Sequence, residues 1–244
     1  MTPDAQTLYA VTEGTWPPAS ARHVGPWTIR DGQGGGKRVS AATAREPFTE
    51  ADLPEAEAAM RALDQTPLFM IRQGDEALDA MLADHGYAVI DPVNMYVCRV
   101  DALTTEPLPK VTAYTIWEPM AIQLDIWAQG GIGPGRIRVM ERAQGPKTSL
   151  FGRDQARPAA TGFVAIHDGV AMIHALEVLE RHRRCGMGRH LTRAAAFWAA
   201  GQGATHLAVL CTQANTGANA LYASLGLALV GEYHYRIKKD AAPA

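Results

Sequence analysis

Cysteine is scarce in this 244-residue sequence: Cys98, Cys185 and Cys211 are the only three, far apart and without CxxC spacing. So dispersed and odd a set argues against a disulfide framework, and no Cys/His cluster repeats at the interval a zinc site needs. Long apolar runs are missing too. No stretch approaches the roughly 20 apolar residues that cross a bilayer, and Met1 to Pro18 lacks the basic-then-apolar pattern of a secretion signal. A cytoplasmic protein without membrane partners is expected. Nor does charge of one sign dominate. With 23 basic and 25 acidic side chains the formal net charge is −2, which excludes a broad basic surface for nucleic acid.

What is present suits a packed globular protein: 47% apolar and 20% charged residues, in a length that fits one large domain or two modest ones. Residues 1–24 show little periodicity and predict a loose arm. Trp27–Arg30 and Lys37–Thr43 read as strands joined by the glycine-rich 32–36 segment. Phe48–Leu63 reads as a helix capped by Thr49, Leu68–Ile71 as a strand, Asp75–Asp84 as a helix stopped by Gly86, and Ala88–Val100 as a strand. Residues 101–110, with two prolines, read as a linker. Val111–Ala128 follows as strand then helix, and Gly130–Gly135 as a flexible turn. Asp168-Gly169 between the apolar runs Ala160–Ile166 and Val170–Leu179 predicts a hairpin. Then come a strand at His206–Cys211, a helix at Thr216–Leu225 ending at Gly226, and strand material over Leu227–Lys238. This alternation indicates an α/β or α+β fold. At an offset of 140 positions Gly86 meets Gly226, Met81 meets Leu221, and Ala88-Val89-Ile90 meets Ala228-Leu229-Val230, which suggests an internal duplication.

The segment richest in chemistry is Ile173–Leu191. An apolar strand enters a basic, glycine-containing turn and then a helix with Leu191, Ala194, Ala195 and Trp198 on one face. Such a turn exposes unpaired backbone N–H groups at the positive end of the helix. Gly186 and Gly188 let that backbone approach an anion, and Arg183, Arg184 and Arg189 add charge. These are the parts of a pyrophosphate cradle. Glu177 alternates on the strand with Ile173, Ala175 and Leu179; a carboxylate among apolar neighbours is costly unless solvated, paired or functional, so it is the candidate base. His174, expected on the face of Leu176 and Val178, reads as a structural histidine. Two other glycine clusters, Asp31–Arg38 and Gly131–Gly135, lack the residues and context of nucleotide-binding loops.

Arg183-Arg184-Cys185-Gly186-Met187-Gly188 resembles the Arg/Gln-x-x-Gly-x-Gly/Ala signature of the GNAT superfamily of N-acetyltransferases. Downstream, the run from Asn215 through Ala218, Leu221 and Tyr222 to Gly226 and Leu227 resembles that family's Asn-x-x-Ala-x-x-Leu-Tyr-x-x-x-Gly-Phe segment, with Leu227 for the usual Phe. The resemblance covers roughly residues 111–238. It implies a mixed, mostly antiparallel sheet flanked by helices, and transfer of an acetyl group from acetyl-CoA to a primary amine by direct attack, without a metal. The pyrophosphate would rest on Arg184, Cys185, Gly186, Met187, Gly188 and Arg189, beside Arg183. The pantetheine arm would run along Leu176 and Val178 and past Asn215. The Val178 N–H would receive the carbonyl oxygen and Tyr222 would act as acid toward the sulfur. Because the counterpart of the cradle, residues 43–48, contains Glu46 and Pro47 and no glycine, the first half is expected to be a degenerate GNAT-like lobe. The predicted organisation is an arm (1–24), this lobe (25–100), a linker (101–110) and a catalytic domain (111–244), as in tandem-GNAT proteins. The acceptor would be an amine-bearing small molecule or peptide. Glu118, Asp125 and Glu141 fall where the family shapes its acceptor cleft, and the sequence leaves a homodimer open. A non-catalytic acyl-CoA sensor is the alternative reading.

Overall fold

The computed structural model describes residues 2–238. The chain begins with helix α1 (Ala5–Thr15), followed by β1 (Ser20–Val24), β2 (Trp27–Asp31) and the short β3 (Thr43–Ala44). Next come α2 (Leu53–Arg61), β4 (Leu68–Ile71), α3 (Glu76–Asp84) and β5 (Tyr87–Arg99). Past residue 110 lie β6 (Ala113–Ile116), α4 (Ala121–Gln129), α5 (Pro134–Arg142), β7 (Lys147–Asp154), β8 (Arg157–His167) and β9 (Val170–Val178). The chain continues with α6 (Met187–Gly201), β10 (His206–Thr212), α7 (Thr216–Ser224) and β11 (Ala228–Lys238).

Strands β1–β3 form a small sheet, and the other eight form one sheet in the order β4-β11-β5-β10-β9-β8-β7-β6. All its pairings are antiparallel except β9 with β10. Helix α6 covers one face over a core that includes Leu150, Val164, Ile173, Leu191 and Leu207. Helix α1 covers the other, with Leu8 and Val11 against Met95, Met172 and Tyr235.

Helix α1 overturns the expected arm. Asp4 caps it by accepting from the Thr7 N–H, and Leu8, Val11, Thr12 and Thr15 form a buried stripe. Two threonines disguise that stripe as polar. Their hydroxyls donate to the Leu8 and Val11 carbonyls one turn back, so they enter the core without an unmet hydrogen bond. The strand expected at Lys37–Thr43 is instead a 3-10 turn over Lys37–Val39 followed by β3. Pro134 opens α5 at its first turn, where a missing N–H costs nothing; the sequence predicts only a flexible turn over Gly130–Gly135.

The 140-residue offset reappears in three dimensions. Helices α3 and α7 are nine residues each and start and end 140 positions apart, and α2 and α6 end 140 apart. The strand registers obey the same rule. Val97 pairs with Ala228 while Ala88 pairs with Ile237, and Ile71 pairs with His234 while Cys211 pairs with Asn94. Each pairing is its partner seen after exchanging the halves. A pseudo-two-fold therefore passes between β5 and β11, and the two strand–helix–strand units interlock. Residues 101–110 separate stretches of chain but not separate sheets: β4 and β5 from the first half lie in the same sheet as β6–β11.

Candidate acyl-transfer site

Strand β9 carries the decisive irregularity. Its register with β8 shifts between Thr161↔Glu177 and Phe163↔His174, which inserts an extra residue, and Ala175 has φ +50°. Such a bulge redirects the strand and its side chains. Up to the bulge β9 runs parallel to β10, and pairing ends at Ile173↔Val209. Beyond it the two strands diverge. The freed Ala175 carbonyl is satisfied by the indole N–H of fully buried Trp127, at 2.7 Å.

Because of the bulge, Ile173, Leu176 and Val178 share the α6-side core, and His174 lies on the opposite face against Trp16. This corrects the strict alternation that put His174 with Leu176 and Val178, and Glu177 with Ile173. Alanine gives no sequence sign of positive φ, so the bulge was invisible. The Leu179 N–H donates to the Ala159 carbonyl at 2.9 Å. Antiparallel pairs alternate between bonded and non-bonded, so the Val178 N–H points away from β8, into the gap between β9 and β10.

The cradle follows. Arg184 has φ +61° and Gly186 φ +82°, which turns successive N–H groups to one side as in an anion-binding nest. The first intrahelical bond of α6 runs from the His190 N–H to the Gly186 carbonyl. Among the described residues, the six consecutive N–H groups from Arg184 to Arg189 donate to no protein acceptor. The two glycines serve different ends. Gly186 is at positive φ, and a Cβ there would meet only the His190 ring at an ordinary 3.5 Å, whereas a Cβ on Gly188 would come 2.9 Å from Leu221 Cδ2; Gly188 therefore lets α6 close on α7.

The remaining predicted residues fall around this turn. Arg183 folds back over β9, donating through Nε to the Val178 carbonyl (3.1 Å) and through Nη2 to Glu177 Oε1 (3.3 Å). Its head thus faces the strand end rather than the cradle. Glu177 is partly buried, with its side chain against Gly130. Cys185 is exposed, and Met187 is buried in the α6-side core. Asn215 caps α7 by accepting from the Ala218 N–H at 3.1 Å.

Tyr222 is buried, its ring centroid 5.9 Å from that of Tyr96. Burial, and secondarily Cys211, raise its phenol above the ordinary value. Asn219, which carried no sequence signal beyond lying inside the second motif, ties α7 to the sheet. It accepts from Asn94 and the Tyr96 hydroxyl and donates to the Thr212 carbonyl. Glu118, Asp125 and Glu141 are all exposed. Among the described residues no group of three or more His, Cys, Asp or Glu is placed to hold a metal, and no helix is long and apolar enough to cross a membrane.

The chain is similar in sequence and in fold to known proteins. Residues 122–227 match the model of the acetyltransferase (GNAT) family. The uncharacterized N-acetyltransferase YobR of Bacillus subtilis (strain 168) is 28% identical over 250 residues, covering 97% of this chain and 99% of that protein. A GCN5-related N-acetyltransferase from Kribbella flavida shares the fold with a TM-score of 0.70 at 22% identity, covering 97% and 96% of the two chains. A tandem GNAT protein from the clavulanic acid biosynthesis pathway does so with a TM-score of 0.63 at 14% identity, over 84% of this chain and 76% of that one. The cradle and the splayed end of β9 both lie within residues 122–227, the segment that matches the acetyltransferase (GNAT) family, and the whole chain shares the fold of GCN5-related N-acetyltransferases.

Proposed function

We propose that the chain is a cytoplasmic enzyme that transfers an acetyl group from acetyl-CoA to a primary amine of a small molecule or peptide by direct attack. The observation that carries this reading is the run of six free amides at a positive-φ turn, next to a strand whose Val178 N–H faces the gap beside it. Such amides suit a pyrophosphate, since each N–H is already oriented and needs no rearrangement on binding. The first half, whose counterpart turn contains Glu46 and Pro47, would hold no second cofactor.

The cosubstrate supplies a thioester already activated toward amines. The residues would do the following. The Val178 N–H would donate to the carbonyl oxygen as negative charge builds there, an effect worth about 3–4 kcal/mol in comparable sites. Tyr222 would hold its proton at neutral pH and donate a hydrogen bond to the departing sulfur. Its raised phenol is a weaker acid than a thiol of pKa about 8.5, so complete transfer to the thiolate is uphill, and solvent would supply the final proton. This narrows the role of acid expected from the motif. Glu177, held by Arg183, would take the proton of the amine through water once that ion pair loosens.

The Glu177–Arg183 pair also favours one rival: an acyl-CoA-binding sensor in which no base is needed. The Tyr222→Phe variant separates the two. Thiol release from acetyl-CoA with a panel of amines should fall about 10²-fold or more, while acetyl-CoA affinity stays within about twofold. Unchanged turnover would remove Tyr222 from the chemistry, and no turnover by the wild type with any amine would favour the sensor.

A further inference from the structure

On the α1 face of the sheet lies a cavity of about 40 Å³ bordered by α1, β2, β4 and β11 and lined by three arginines, Arg30, Arg38 and Arg72. Two of them are matched. Arg30 places its Nε–Nη2 edge on both carboxylate oxygens of Glu13, at 2.9 and 2.8 Å. Arg72 pairs with Asp75 at 3.0 Å and donates to the Ala44 carbonyl. Arg38 is not matched. Its Nη1 donates to His174 Nδ1 at 2.9 Å, its Nε is buried without a partner, and among the described residues it makes no salt bridge.

His174 cannot supply the missing charge. Since Nδ1 accepts from Arg38, the ring proton sits on Nε2, which donates to Thr15 Oγ1 at 2.8 Å, while that hydroxyl donates to the Val11 carbonyl. Burial, with Arg38 beside it, keeps the ring neutral. A second polar atom on the cavity wall, the Tyr233 hydroxyl, is likewise buried without a hydrogen bond of full geometry, and with Tyr235 it stands beside Arg38 as a neutral neighbour. A desolvated guanidinium facing only neutral groups is costly unless an anion completes it.

We propose that this cavity binds one carboxylate group of a small organic acid, received by the Nε–Nη2 edge of Arg38, which makes no hydrogen bond of its own among the described residues, with a further hydrogen bond from the Tyr233 hydroxyl. The charge deficit is a single unit, and the free edge of Arg38 is the same one that Arg30 uses to hold Glu13. A planar two-oxygen acceptor fits that fork, and Trp16 and Met70 on the wall suit a short hydrocarbon. The site touches the transfer strand, because His174 directly precedes the bulge at Ala175. The carboxylate belongs either to a free acid that acts as an effector or to the acceptor amine itself. Only the second of these rests on the acyl-transfer reading.

The test titrates the full chain with acetate, propionate and 4-aminobutyrate against chloride at constant ionic strength, following tryptophan fluorescence and Tm. Saturable binding of the carboxylates, absent with chloride, is expected. Arg38→Met should weaken it by roughly 10–100-fold and Tyr233→Phe by roughly 3–10-fold. No saturable carboxylate response in the wild type, or equal responses in wild type and both variants, would overturn the site. Should Arg38→Met fail to fold, Tyr233→Phe decides. Acetylation of bound 4-aminobutyrate by acetyl-CoA assigns the carboxylate to the acceptor, and binding without acetylation assigns it to a free acid. Because binding is read without turnover, loss of this site and loss of the acyl-transfer reading are separate results.

Discussion

At the residue scale, two glycines and one histidine make separate demands on the chain. Gly188 is a packing residue, so Gly188→Ala should press on Leu221 and cost about 1–3 kcal/mol of stability; a urea midpoint measures this, and Leu221→Ala in the same chain should restore part of it. Gly186, by contrast, has room for a Cβ but a left-handed backbone, so its substitution strains the turn itself. His174 makes a prediction with a defined sign. Burial, then Arg38, holds it below its ordinary value, so the unfolded chain takes up a proton near pH ~6.5 that the folded chain refuses. Its contribution to stability is complete above about pH 6.5 and is lost as pH falls below it. Urea unfolding at about pH 7.5 and about pH 5.5 should show a larger loss for the wild type than for His174→Gln. Equal losses would remove His174 from the acid response.

At the element scale, helix α1 is the sharpest test of the account, since the sequence predicts a loose arm where the structure has a core helix. Leu8 is fully buried against the sheet, so Leu8→Ala should cost about 2–5 kcal/mol, measured by chemical denaturation. A cost near zero would return the segment to an arm. The elements that could be read directly were those whose pattern and stop signals agree: β4, α3 and α7 lie within a residue of expectation, and Asp168-Gly169 turns the β8–β9 hairpin with both residues at positive φ. Those that could not be read depend on partners distant in sequence. The buried threonines of α1 look polar until their backbone acceptors are known. The bulge at Ala175 needs Trp127, 48 positions away, to satisfy its carbonyl.

At the scale of the whole molecule, two interlocked units related by a pseudo-two-fold share one sheet, but only one carries a cradle. The motif spacing made the positive-φ turn before α6 and the place of Tyr222 on α7 legible, because glycine, arginine and a helix stop at fixed offsets leave few alternatives for the backbone. The turn of Arg183 onto the strand and the Asn219 clamp were not legible, since both arise from tertiary contact alone. The units differ where α6 begins at Met187 while α2, ending at the corresponding position, begins only at Leu53. The second unit's helix therefore has six more residues at its N-terminus, where the free amides gather. The measurement that tests this most directly is the ¹H–¹⁵N spectrum of the full chain titrated with coenzyme A. The account predicts saturable shifts concentrated at the amides of residues 184–189, with residues 43–49 unmoved. Shifts centred on residues 43–49, or none at residues 184–189 at saturation, would contradict it.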